Sequence, residues 1–90
     1  MEENRIAVIA IVVENPASVR ELNEILHTFS AHIIGRMGLP YREKKLSLIS
    51  VAVDAPEAVI LDLAGKLAAL DGVTAETAWA KARTKTKTEL

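Results

Sequence analysis

The order of apolar segments along the chain predicts the fold class. Four segments rich in β-branched or small apolar residues alternate with two segments whose apolar residues recur every three or four positions, within 90 residues. The order is βαββαβ, which predicts an α+β, ferredoxin-like domain: a four-stranded antiparallel sheet with two helices on one face. Right-handed crossovers place the first and third strands in the centre. Residues 1–80 are expected to form this single domain, and the polar residues 81–90 a disordered tail.

Composition excludes several classes of function. The formal net charge is −1 and the chain has no cysteine. Because the chain is nearly neutral, it has no overall positive potential to attract nucleic acid or an anionic membrane. Because it has no cysteine, it has no disulfides, thiolate metal sites or thiol nucleophiles. No apolar run approaches the roughly 20 residues of a membrane span, and the first residues lack the basic start of a signal peptide. We expect a cytoplasmic protein with no cofactor and no membrane contact, for which DNA binding through the basic tail is the weakest hypothesis.

The first strand and helix have clear boundaries. Residues 5–14 are a β-branched apolar run with a charge at each end, which is typical of a central strand. Asn15 can cap a following helix, and Pro16 suits its first turn. The helix extends to about residue 31, and one face of it carries the apolar residues Val19, Leu22, Ile25, Leu26 and Phe29.

The next two strands differ in regularity. Residues 33–42 contain Gly35, Gly38 and Pro40, which predicts an irregular strand at a sheet edge with a bulge or bend. Residues 41–45 form the predicted hairpin connection. Residues 46–54 resemble the first strand in their β-branched content and predict the third strand.

The second helix and last strand complete the pattern. Asp54 and Pro56 are expected to start the helix, as Asn15 and Pro16 start the first. Gly72 is a plausible left-handed stop after it, and residues 73–80 alternate with a period of two, as in a strand. The apolar stripe of the helix consists of Val59, Ile60, Leu63, Ala64, Leu67 and Leu70.

Both faces of the two central strands are apolar, whereas two helices can cover only one of them. An exposed apolar face usually marks an interface, so we predict a homo-oligomer, dimer or tetramer, in which sheets pack together or edge strands pair. The alternative is that alanine and serine dilute the second face enough to leave it hydrated. The expected interface residues are Ile9, Ile11, Ile49 and Val51.

Candidate ligand-binding residues are few. His27 and His32 lie about 140° apart on an ideal helix, so they cannot share a metal ion, and no metal site is expected. His27 lies on the same flank as Asn23, and the two glycines around Arg36 offer backbone N–H groups to a small anion. The candidate ligand residues are therefore His27, Arg36, Gly38 and Asn23. The alternatives are a solvated histidine and a plain β-bulge. No catalytic pair or triad follows from the spacing, so we expect no enzyme.

Four segments resemble one known family. They are Leu-Asn-Glu-Ile-Leu-His-Thr-Phe-Ser at 22–30, Ile-Gly-Arg-Met-Gly-Leu-Pro-Tyr-Arg-Glu at 34–43, Leu-Ala-Gly-Lys-Leu at 63–67 and Asp-Gly-Val at 71–73. Together they resemble the iron-only (FeFe) hydrogenase system regulator family over roughly residues 6–81. The resemblance implies a small stand-alone ACT-like domain, similar to the ligand-binding domain of nickel-responsive repressors.

The resemblance also implies a function. It points to a regulatory or sensory protein that acts as an oligomer by binding a small ligand or a protein of the hydrogenase system. The alternative is a docking or assembly module that senses nothing. Nickel binding by histidines and a cysteine is not implied, because this chain has no cysteine. Residues 14–18 also lack the glycine characteristic of ACT domains that bind amino acids.

Overall fold

The computed structural model describes residues 3–81 and has the predicted element order. Residues 82–90, most of the tail predicted to be disordered, lie outside the described residues. Short 3₁₀ turns flank the first helix and join the second strand to the third. The elements are β1 (Asn4–Val13), α1 (Val19–Thr28), β2 (Ile33–Tyr41), β3 (Leu46–Pro56), α2 (Glu57–Ala68) and β4 (Val73–Trp79).

The four strands form one antiparallel sheet in the order β2-β3-β1-β4. The first and third strands are central, as the sequence predicts. The predicted irregularity of β2 is also confirmed, because β2 is an edge strand whose register against β3 shifts between Ile33 and Gly35. The sheet and the two helices together give the ferredoxin-like α+β arrangement.

The predicted start of the first helix is confirmed, except that a 3₁₀ turn precedes the α-helix. The Asn15 side-chain oxygen accepts a hydrogen bond from the Ala17 N–H at 3.0 Å, and Pro16 opens a 3₁₀ turn. The α-helix proper begins at Val19. A side-chain oxygen at Asn15 thus satisfies a backbone donor that the first turn leaves free.

Asp54 does not cap the second helix, so this part of the prediction is wrong. Asp54 lies within β3, paired with Ile6, and its carboxylate accepts a hydrogen bond from the Asn4 side-chain nitrogen at 3.1 Å. Pro56 ends the strand, and α2 begins at the next residue. The strand continues to this point because β1 supplies pairing partners as far as Asn4.

Gly72 has the left-handed conformation expected of it, with φ of +69°. The turn that contains Gly72 packs closely on the β1–α1 connection. The Glu14 N–H donates to the Gly72 carbonyl at 2.7 Å, and the Ser18 hydroxyl donates to the Asp71 carbonyl at 2.6 Å. Asn15 also donates to the Asp71 carboxylate at 2.6 Å. These bonds fix the start of α1 against the end of α2.

The core lies between the sheet and the two helices. Alternate residues of β1 and β3 point toward the helices, and both helices contribute leucine or isoleucine side chains. Among residues 3–81, neither helix has the length and apolar character needed to cross a membrane. The buried apolar residues are Ala7, Ile9, Ile11, Val13, Leu22, Leu26, Val51, Val53, Ala55, Ile60, Leu63, Leu67 and Val73.

Candidate functional site

The sheet face opposite the core is apolar over three of its four strands. Residues paired across neighbouring strands point to the same face, and Val8 pairs with Ala52 while Ser50 pairs with both Ala10 and Met37. We call this surface the open sheet face. It comprises Val8, Ala10, Val12, Met37, Leu39, Tyr41, Leu48, Ser50 and Ala52.

The larger side chains of the open sheet face are accessible to solvent. Met37 is 70% exposed and Leu39 is 60% exposed. The small residues Ala10 and Ser50 lie beside them and help to line a shallow groove of about 420 Å³. No charged residue lines this groove. A patch of this kind on a 90-residue chain is typical of a contact surface.

The predicted interface residues lie on the other face, and this part of the prediction is wrong. Ile9, Ile11 and Val51 are buried beneath the helices, at 0–1% exposure, and Ile49 is packed against the same core. Of the two sets in β3, the one containing Val51 and Val53 is the more strongly apolar, and it is the one that the helices cover. Ser50 and Asp54 in the other set are polar and could have indicated that this set is the exposed one.

The fourth strand gives the open sheet face a polar border. Thr74, Glu76 and Ala78 pair with Val12, Ala10 and Val8 respectively, and they therefore share the face. All three are exposed. The apolar part is therefore centred on β3 and ends at β4, which matches the apolar centre and polar rim of protein interfaces.

Two of the four predicted ligand residues are in direct contact, and a third lies one helical turn away on α1. The Arg36 guanidinium on β2 donates to the Asn23 side-chain oxygen on α1 at 3.1 Å. His27 follows Asn23 by one helical turn, and both line an open groove of about 500 Å³ with Arg20, Glu24 and Thr28. We call Arg20, Asn23, His27 and Arg36 the polar cluster. All of its members are exposed.

Gly38 lies two residues after Arg36 on β2 and does not line the groove beside α1. It lines the apolar groove on the open sheet face together with Met37 and Leu39. Gly38 pairs with Ile49, as Arg36 pairs with Val51, so both residues have the helix-facing register, and the Gly38 backbone is also accessible from the groove. Within residues 3–81, no three His, Cys, Asp or Glu side chains are grouped to hold a metal ion.

One contact of an unusual kind was not predicted. The Arg5 guanidinium lies 4.4 Å from the ring centroid of Trp79, and it also forms an ion pair with Glu57 at 3.4 Å. These residues come from β1, β4 and the start of α2. The charge at the start of the first strand was visible in the sequence, but its partners lie more than fifty residues away.

The fold and these surfaces define a class: a small ferredoxin-like α+β module with an uncovered apolar sheet face beside an exposed polar cluster. The chain belongs to the TM1266-like family, whose description is "Iron-only hydrogenase system regulator, putative" and whose model matches residues 5–77. The resemblance found in the sequence is thereby confirmed.

Several solved structures are similar to this chain, and two of them differ widely in sequence identity. Uncharacterized protein TM1266 from Thermotoga maritima is 35% identical, with 88% of this chain and 100% of that chain covered and a TM-score of 0.84. A formyltetrahydrofolate deformylase from Pseudomonas putida KT2440 is 13% identical, with a TM-score of 0.59, and the match covers 81% of this chain and 28% of the deformylase. The second likeness concerns the fold alone. No curated protein matches the chain.

Proposed function

We propose that this chain is a non-enzymatic, cytoplasmic regulatory module of the iron-only hydrogenase system, and that it works as a homo-oligomer. Membership of the family supports the regulatory role. The observation that carries the assembly is the open sheet face, which is apolar on three strands and bordered by polar residues on the fourth. The occupant of this face is a second copy of the chain.

The size of the open sheet face supports a stable contact. Three strands at about 4.8 Å spacing and ten residues at about 3.3 Å rise project an area of roughly 450 Å². The accessible area of side chains exceeds this projection, so two copies bury on the order of 1,000 Å² in total, the lower bound for a specific interface.

The shape of the face is self-complementary. The exposed Met37 and Leu39 form a ridge beside the groove at Ala10 and Ser50. A two-fold axis through the face places the ridge of each copy over the groove of the other, as an isologous interface requires. Because no charged side chain lines the groove, this contact brings no like charges together.

Oligomeric mass tests the assembly. We expect light scattering to give a dimer or tetramer for the unaltered chain and a smaller species for Leu48→Lys, because the substitution places an ammonium group at the centre of the contact. Leu48 is exposed, so the variant keeps the fold, which circular dichroism checks. Thr74→Lys on β4 is the matched control on the same face and retains the mass of the unaltered chain. Equal masses for Leu48→Lys and the unaltered chain would contradict the proposal.

We propose that the polar cluster is the sensing site and binds a small anion such as phosphate. Arg36 reaches from β2 to Asn23 on α1, so an anion there contacts two elements at once. Arg20 and His27 add further donors along the same face of α1. Within residues 3–81, neither Arg20 nor Arg36 has an acidic partner within ion-pair distance.

Thermal unfolding in inorganic phosphate tests the sensing site. A ligand that binds the folded state raises Tm with its concentration, so phosphate is expected to raise the Tm of the unaltered chain above that in chloride of equal ionic strength. Arg36→Gln abolishes the increase, and Arg42→Gln in the β2–β3 connection leaves it unchanged. If Tm in phosphate equals Tm in chloride, the anion site is absent and the docking module is the better hypothesis.

A further inference from the structure

We infer that the ligand of the polar cluster is a soluble phosphate ester that also carries an ammonium group, and that the Glu24 carboxylate binds this ammonium group. The inference rests on the proposed function, because it names the class of ligand for the same site. It goes beyond that function by giving a role in specificity to Glu24, which is not a member of the polar cluster.

The groove beside α1 carries charges of both signs. Arg36 approaches it from β2 and donates to the Asn23 side-chain oxygen at 3.1 Å. The groove has a volume of about 500 Å³, and all of its lining residues are polar and exposed: Arg20, Asn23, Glu24, His27 and Thr28. A ligand in this groove therefore meets two guanidinium groups and one carboxylate.

The charges of Arg20 and Glu24 are both available to a ligand. Within residues 3–81, no hydrogen bond or ion pair reaches the Glu24 carboxylate. Only its backbone carbonyl is engaged, by the Thr28 hydroxyl at 3.1 Å. Arg20 precedes Glu24 by one helical turn, a spacing that permits an ion pair, yet the described part of the chain shows none between them.

A carboxylate in this groove disfavours a ligand that is only an anion. Like charges repel at short range, so Glu24 lowers the affinity of the groove for a group that carries negative charge alone. The same carboxylate forms a charge-assisted hydrogen bond with a ligand that also carries an ammonium group. Glu24 therefore selects a ligand with both charges.

The helix spacing indicates how far apart the two charges of the ligand lie. Side chains four residues apart on a helix have Cβ atoms about 5–6 Å apart, so Arg20 and Glu24 are neighbours along the groove. With the phosphate between Arg20 and Arg36, the ammonium group lies one helical turn further on, at Glu24. A phosphate and an ammonium group joined by two carbon atoms match this separation.

Calorimetric titration with two matched esters tests the inference. Aminoethyl phosphate carries the ammonium group, and ethyl phosphate lacks it. We expect the unaltered chain to bind aminoethyl phosphate about two- to fivefold more tightly, the range that one exposed ion pair gives. Glu24→Gln is expected to weaken the binding of aminoethyl phosphate and to strengthen that of ethyl phosphate, because it removes an attraction from one ester and a repulsion from the other.

Glu21→Gln provides the control for a change in net charge. Glu21 is an exposed carboxylate on α1 that does not line the groove, so its replacement is expected to leave the preference between the two esters unchanged. Equal affinities of the two esters for the unaltered chain, or a preference that Glu24→Gln leaves intact, would overturn the inference. Failure of both esters to bind would contradict the proposed sensing site itself, and the inference with it.

Vesicles distinguish the free ester from a lipid headgroup with the same two charges. The groove is lined by polar side chains alone, so it offers no apolar group to a bilayer. We expect the chain to stay in the supernatant when vesicles of phosphatidylethanolamine are sedimented. Cosedimentation that Glu24→Gln abolishes would assign the site to the headgroup and overturn the inference of a soluble ligand.

Discussion

At the scale of the residue, Gly72 shows how one backbone conformation joins two connections. Its φ is +69°, and a Cβ there would lie 2.6 Å from the Asn15 Cβ. Gly72→Ala is expected to lower the free energy of unfolding by about 1–2 kcal/mol for the left-handed conformation, with a further loss from the contact with Asn15. Urea unfolding measures this loss.

A second glycine provides the control for this prediction. Gly65 is an exposed residue within α2, and a Cβ at this position would have no neighbouring atom within 4 Å. Gly65→Ala is therefore expected to stabilise the chain by roughly 0.5–1 kcal/mol, because alanine favours the helix. If Gly72→Ala were as stable as Gly65→Ala, the close packing of the two connections would be refuted.

Residue-level features were predictable where their cause is local. The cap at Asn15 and the left-handed Gly72 follow from the chemistry of single residues and their immediate neighbours. The partners of Ser18 and Arg5 could not be predicted in this way, because they lie more than fifty residues away in the sequence. Asn23 and Arg36 were proposed as ligand residues separately, and only the packing of β2 beside α1 joins them by a hydrogen bond.

At the scale of the element, α2 separates buried from exposed leucines. Leu63 is buried, whereas Leu61 two residues earlier is 54% exposed. Leu63→Ala is expected to lower the free energy of unfolding by about 2–5 kcal/mol, because it leaves a cavity in the core. Leu61→Ala is expected to change it by roughly 0.5 kcal/mol or less.

Chemical denaturation of these two variants compares the same substitution on opposite faces of one helix. A loss at Leu61 that equals the loss at Leu63 would mean that another molecule covers this face of α2. Neither residue belongs to the open sheet face, so the comparison is independent of assembly through that surface.

Elements were predictable because periodicity and turn residues are local signals. All four strands, both helices and the edge position of β2 agree with the sequence prediction. The role of Asp54 was wrong because pairing with β1 extends β3 past it. The covered face of β1 could not be chosen from its own residues, since both of its faces are apolar. The choice is made in β3, where Ser50 and Asp54 dilute one face.

At the scale of the whole molecule, the open sheet face and the two helices lie on opposite sides of the sheet. A second copy packed on the open sheet face therefore leaves the helices uncovered. Arg20, Asn23 and His27 on α1 remain accessible to a ligand in that assembly.

Native mass spectrometry of the untagged chain, purified without chelators, is the most direct measurement of whether the chain forms the proposed homo-oligomer. The expected result is a dimer or tetramer of the 9.8 kDa chain, with the same spectrum reporting the mass of any small molecule retained. A species of 9.8 kDa at micromolar concentration would contradict assembly through the open sheet face. The open sheet face would then be hydrated in the free protein.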